Sequence, residues 1–179
     1  MRFLKLFIFS ILITACKAEI KVENQTSLED LKAETNRVLD QWHKAAAEAN
    51  FDNYFSLMTS DGVFIGTDAS ENWKNEAFRA FSKPYFDKGK AWSFTAIDRN
   101  IYIDNDKTTA WFDEILETQM KLCRGSGVLK LENNQWKIAH YVLSITIPNE
   151  KVSEIVKIKA PLDSLYAKTL QSNNKMNGF

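Results

Sequence analysis

The stretch from Thr108 to Ile147 alternates apolar and polar residues through three runs separated by short breaks, which is the period of a β-meander. Asn133-Asn134 is a good two-residue hairpin turn, because both residues tolerate positive φ, and it sets a register between its flanking strands. Leu129 then faces Ile138, Gly127 faces His140 and Gly125 faces Val142. A turn at Lys121-Leu122 adds Glu114 to the first of these rows and Leu116 to the second. One sheet face reads Phe112, Glu114, Leu116, Leu129, Leu131, Trp136, Ile138, His140 and Val142. It is apolar apart from one carboxylate and one imidazole. The other face carries Trp111, Asp113, Ile115, Glu117, Arg124, Ser126, Lys130, Lys137, Tyr141 and Leu143. This pattern calls for helices over the first face and a partner over the second.

The chain around this meander has 179 residues, 45% of them hydrophobic, enough for one core and one domain. Its 23 basic and 23 acidic residues are interspersed. No basic stripe suggests nucleic acid as a partner.

The N-terminus reads as an export signal. Arg2 and Lys5 precede the apolar run Leu6 to Ile13, which is too short to span a bilayer. Ile13-Thr14-Ala15-Cys16 resembles a bacterial lipobox, which implies a lipidated Cys16 closing a signal segment over 1–16; ordinary cleavage after Ala18 is the alternative. The expected localisation is the bacterial cell envelope, with the membrane reached through the lipid anchor only, or else a soluble periplasmic or secreted form. With Cys16 lipidated, Cys123 has no intrachain partner and reads as a packing residue.

Residues 17–26 form a polar tether, and the domain covers 27–147. Ser27 caps a long amphipathic helix through Asp30, with a stripe at Leu28, Leu31, Thr35, Val38, Leu39, Trp42, Ala46 and Ala49. His43, beside the stripe, is expected at the boundary or surface. A short helix follows at Phe51 to Met58, then a turn at Thr59 to Gly62 and a strand at Val63 to Thr67. Asp68 and Glu71 lead into and cap a third helix through Trp73, Ala77, Phe78 and Phe81, stopped at Lys83-Pro84. Trp92 to Ile103 is a long strand whose alternation slips in the middle, the mark of a β-bulge. Residues 148–179 are a C-terminal extension: a short helix through Val152, Ile155, Val156 and Lys159, a break at Pro161, another turn or two, and a frayed tail.

Helices, a short strand, another helix and a four-stranded bent antiparallel sheet give an α+β cone, with helices over the concave face and a hollow between them. The order of elements resembles the nuclear transport factor 2-like superfamily. Phe64–Trp73 (FIGTDASENW), Thr109–Glu114 (TAWFDE), Arg124–Leu129 (RGSGVL) and Trp136–Ser144 (WKIAHYVLS) are similar to its SnoaL-like branch. The resemblance covers about residues 28 to 147. It implies the cone fold but no single activity, since the superfamily includes cyclases, isomerases, epoxide hydrolases, dehydratases and inert association domains. Its enzymes use a carboxylate or histidine inside the cone as general acid or base. Many SnoaL-like members also have a histidine two positions after the one matched by His140, where this chain has Val142.

The catalytic candidates are therefore Glu114 and His140, projecting into a hollow lined by Phe64, Trp73, Tyr85, Phe112 and Trp136. Gly125 and Gly127 would leave room there for a ligand. A carboxylate desolvated in such a place could exchange protons near neutral pH. The competing expectation is plain packing, with Glu114 and His140 bonded to each other or to Tyr85, Arg99 or Arg124. Neither a zinc-like spacing nor a glycine-rich phosphate loop is present, so no metal or cofactor is expected. Three functions stay open: binding of a small apolar or amphipathic molecule by a homodimer, cyclase-, isomerase- or dehydratase-type catalysis with Glu114 or His140 as general base, and a ligand-free dimeric interaction module.

Overall fold

Ser27 is the N-cap of the first helix: its Oγ accepts from the Asp30 N–H at 3.1 Å and donates to Asp30 Oδ2 at 2.6 Å. The computed structural model describes residues 26–176, so the signal-like segment, Cys16 and almost all of the polar tether lie outside the described residues. Helix α1 (Leu28–Ala47) buries Leu31, Thr35, Leu39, Trp42, His43, Ala45 and Ala46. Replacing Ser27 by alanine should lower stability by about 1 kcal/mol. Urea denaturation measures this, and an unchanged midpoint would show that the cap is redundant.

After α1 come α2 (Phe51–Ser56), β1 (Met58–Ile65), β2 (Asn72–Lys74), α3 (Asn75–Asp87), β3 (Phe94–Ile103), β4 (Thr109–Thr118), β5 (Lys121–Glu132), β6 (Gln135–Ile145) and α4 (Val152–Met176). The strands make one sheet in the order β2-β1-β6-β5-β4-β3. All neighbours are antiparallel except β1 and β6, which run parallel. Helices and a bent sheet thus form the expected α+β architecture. Thr59 to Gly62 belongs to β1 rather than to a turn, and it absorbs the irregular register between Met58 and Val63 against β6.

Three details of the meander decide which side chains enter the core. The Asn133-Asn134 turn forms as expected, with φ of 51° and 61°. The preceding turn lies at Gln119-Met120 instead of Lys121-Leu122, held by the Thr118 hydroxyl, which accepts from the Met120 N–H and donates to the Lys121 carbonyl. Glu114 consequently pairs with Gly125 and Leu116 with Cys123. The displacement is an even number of residues, so both keep their inward face.

The third detail is a bulge. Leu129 pairs with Ile138 but Val128 pairs with His140, leaving Ala139 as an extra residue on β6. One inserted residue reverses every later side chain on a strand. Trp136 and Ile138 point inward as expected, and beyond the bulge Tyr141 and Leu143 do so, while His140 and Val142 turn to the opposite face. Gly127 therefore faces Tyr141, not His140, and Gly125 faces Leu143, not Val142. A second bulge, at Ile97 on β3, is the expected slip, and it sets Arg99 opposite Glu114.

Both prolines expected to end helices lie inside them. Helix α3 continues past Pro84 because Phe86 packs among Phe51, Tyr54 and Trp92, a burial that offsets the lost backbone bond. It closes in a Schellman motif, with Gly89 at φ 67° and the N–H groups of Gly89 and Lys90 donating to the Phe86 and Tyr85 carbonyls. Helix α4 runs unbroken through Pro161, where two short pieces and a frayed tail were expected, and buries no residue. Within the described residues no helix is long and apolar enough to cross a membrane.

Candidate functional site

Four elements converge on Glu114. It stands on β4, inward-facing and 1% exposed. Its Oε1 accepts from His43 Nε2 at 2.8 Å and from the Tyr141 hydroxyl at 3.0 Å. Its Oε2 accepts from Arg99 Nε at 2.8 Å, and Arg99 Nη2 lies at 2.8 Å from the same oxygen. Arg99 Nη1 in turn reaches Asn36 Oδ1 and Asp40 Oδ1 on α1, each at 2.7 Å. One carboxylate thus ties α1, β3 and β6 to the centre of the sheet.

Burial by itself pushes the Glu114 carboxyl up. The hydrogen bond and charge of His43, together with the guanidinium of Arg99, outweigh it and hold the group below the usual carboxylate range. Glu114 is therefore ionised at neutral pH. The Tyr141 hydroxyl moves the other way: burial pushes it up, and the neighbouring Glu114 charge pushes it further. Both carboxylate oxygens thus accept hydrogen bonds, from a hydroxyl and an imidazole on one and a guanidinium on the other.

The hollow expected around Glu114 is filled by aromatic rings. Trp42 stacks on Tyr54 with centroids 4.8 Å apart and meets Tyr141 edge-on, and Phe64 stacks on Phe78 at 4.1 Å. Open space remains further along the sheet, where a recess of about 130 Å³ lies between the end of β1, β2, α3 and the start of β3. Phe64, Trp73, Phe78, Phe81, Trp92 and Phe94 line it, with Glu71, Thr67 and Gln119 as polar members.

Of the residues assigned to the ligand pocket from the sequence, Phe64 and Trp73 line this recess. Phe112 and Trp136 are packed in the core at 3% and 2% exposure. Tyr85 is on the outside of α3, its ring tilted against that of Phe81. His140 does not meet Glu114, because the Ala139 bulge places it in a cross-strand row with Val63, Val128, Trp111 and Tyr102 on the opposite face. The Glu114–His140 pair is thus corrected to a pair of Glu114 with His43. Asp68 and Glu71 do not cap α3 either. Asp68 accepts from Ser70, and Glu71 Oε2 accepts from the Asp68 N–H, closing a turn before β2.

Comparison with known proteins agrees with this geometry. The SnoaL-like domain family matches residues 35–148. The chain belongs to the SnoaL-like domain family. Among solved structures, the SnoaL-like domain is similar to an NTF2-like protein from Pseudomonas putida KT2440 (TM-score 0.59, 12% identity, covering 71% of this chain and 94% of that one). It is also similar to a protein with a cystatin-like fold from Nostoc punctiforme PCC 73102 (TM-score 0.54, 14% identity, 68% and 95% covered). The association domain of C. elegans CaMKII is a third (TM-score 0.56, 18% identity, 68% and 100% covered). These likenesses establish the NTF2-like fold. A search of curated proteins finds no match.

Within the SnoaL-like domain, the sequence reading missed His43 and Tyr141 as partners of Glu114. His43 carried a usable signal: it stands four residues after Leu39 and three before Ala46, so it falls on the apolar stripe of α1. Arg99, named from the sequence as one possible partner of Glu114, is bonded to it; it shares the parity of Ile101 and Ile103, and a charge in an inward-facing row needs a buried partner. Tyr141 had no comparable signal, because its face depends on the bulge. Among the described residues no three His, Cys, Asp or Glu side chains gather as a metal site.

Proposed function

We propose that this protein is an envelope-anchored binding domain that holds a small apolar or amphipathic molecule in its aromatic recess and works as a homodimer without catalysing a reaction. The observation that carries this reading is the separation of the two sites: the recess is open and aromatic, whereas Glu114 does not line it and has both oxygens engaged. At about 130 Å³ the recess admits a small group and leaves the rest of the molecule outside, since pockets that enclose drug-sized ligands begin near roughly 300 Å³. Against catalysis stand the burial of Glu114 and the three hydrogen bonds to its two oxygens, together with the placement of His140 on the other face.

Dimerisation is supported by the open sheet face. Tyr102 and Trp111 stack there at 5.7 Å while each is nearly half exposed, and Val128, His140 and Val63 continue their row across the sheet. A row of this kind is suited to a second copy. The similarity to a domain described as an association domain points the same way. Anchoring rests on the lipobox-like sequence ending at Cys16.

Native mass spectrometry of the full chain purified from its own host tests the proposal. The expected result is a dimer mass with a retained small molecule. Trp73→Ala should release the molecule and Trp111→Glu should yield monomers. A ligand-free monomer would overturn the proposal.

A further inference from the structure

The recess has a chemical character that its size alone does not convey. Its walls are the aromatic side chains of Phe64, Trp73, Phe78, Phe81, Trp92 and Phe94, and among the described residues no lysine, arginine or histidine lines it. Among the described residues the one formal charge in the wall is the carboxylate of Glu71. Gly66 makes room for that carboxylate: a Cβ at Gly66 would lie 2.1 Å from Glu71 Oε2, so any other residue would drive the acid out of its position. The Asp68 N–H holds Oε2 at 3.1 Å, and Oε1 makes no hydrogen bond among the described residues. The chain as a whole is neutral, so the negative potential of this wall is local.

We infer that the recess is a site for a quaternary ammonium head group, a choline-like trimethylammonium whose remaining chain extends into solvent. This rests on the small-molecule reading above and names the class of molecule. The faces of aromatic rings carry negative quadrupole potential, and cages of such rings recognise quaternary ammonium ions. Glu71 supplies the balancing charge at the rim. A primary ammonium brings three N–H donors and would have to engage Thr67, Gln119 and Glu71 all at once to replace its water. A quaternary ion has no N–H to satisfy and presents methyl groups to the rings. Anions are disfavoured by Glu71, with no basic side chain among the described residues of the wall to offset it. The limited volume is also met, because only the compact head has to enter.

The test uses the full chain in a non-ionic detergent and two probes of nearly the same shape, choline and its neutral isostere 3,3-dimethyl-1-butanol. Binding is read by calorimetry and by the fluorescence of Trp73 and Trp92. The expected result is saturable binding of choline at least tenfold tighter than that of the isostere. Glu71→Gln should weaken choline by about tenfold and leave the isostere unchanged, and the glutamine keeps an acceptor for the Asp68 N–H. Trp73→Leu should weaken choline as well. Equal binding of the two probes, or a Glu71→Gln protein that binds choline normally, would overturn the inference while leaving the recess a site for apolar molecules. Binding of neither probe would also overturn it, and the host-purified protein would then show separately whether another molecule is retained.

Discussion

Glu114→Ala is expected to lower the stability of the domain by about 3–5 kcal/mol, the range for removing one partner from a buried ion pair. The loss of contact is the smaller part. The larger part is that Arg99 Nε and His43 Nε2, on side chains 6% and 5% exposed, would lose their acceptor inside an aromatic core, although Arg99 Nη1 keeps Asn36 and Asp40. The Tyr141 hydroxyl would also lose its acceptor. Glu114→Gln should be milder, because the amide oxygen can still accept, but it presents two N–H donors to groups that are themselves donors. Exchanging the whole set for apolar residues, with Glu114→Leu, Arg99→Met, His43→Leu and Tyr141→Phe together, should recover most of the loss. Urea midpoints at constant m measure each variant. A Glu114→Ala protein within about 1 kcal/mol of the parent would show that the network does not hold α1 to the sheet.

The same network gives the protein an acid limit. Because the folded-state pKa of Glu114 is held below its unfolded value, its contribution is complete above the ordinary glutamate value of about 4.3 and is lost as pH falls through the folded value. The stability gap between the parent and Glu114→Gln should therefore be constant near neutral pH and close in acid. A gap that widened on acidification would contradict the assignment of an ionised carboxylate.

Gly127→Ala is the second large effect, expected at about 3 kcal/mol, the upper end of the usual range for overpacking. A Cβ at Gly127 would meet the His140 carbonyl oxygen at 2.3 Å and the Phe112 ring at 2.9 Å. The carbonyl belongs to the bulged part of β6, so it cannot swing aside without disturbing the turn of the strand that brings Tyr141 inward. Besides the lower urea midpoint, the variant should lose near-ultraviolet circular dichroism, because Tyr141 packs against Trp42 and Phe64. A variant of parental stability would mean that β6 can relax its bulge freely, and that Tyr141 is not locked to Glu114 by the strand.

Several features could be read before any coordinates. Period-two alternation identified the meander strands, and Asn133-Asn134 fixed the second hairpin because few residues accept positive φ at two successive positions. Ser27 marked the start of α1 for a similarly local reason: a hydroxyl there can reach the backbone N–H of Asp30. The inward faces of Phe112, Glu114 and Leu116 survived a misplaced turn because the error was an even number of residues. The proline rule failed at Pro84 and Pro161, since a local penalty of about 3 kcal/mol can be outweighed by burial of Phe86 in one helix and tolerated by solvated carbonyls in the other.

The sequence by itself determined the meander strands, the capped first helix, the hairpin and the presence of a buried acid on β4, because each of these follows from periods and propensities within a few neighbouring residues, whereas β2, with Trp73 on it, reads locally as the start of a helix. Only the tertiary structure decided what surrounds that acid. An inserted residue at Ala139 exchanges His140 for Tyr141, and the packing of α1 across the sheet brings His43 to an oxygen on a strand far away in the chain. A bulge is a choice between two nearly equal strand registers, settled by which side chains fill the core, and no local pattern in β6 records that choice.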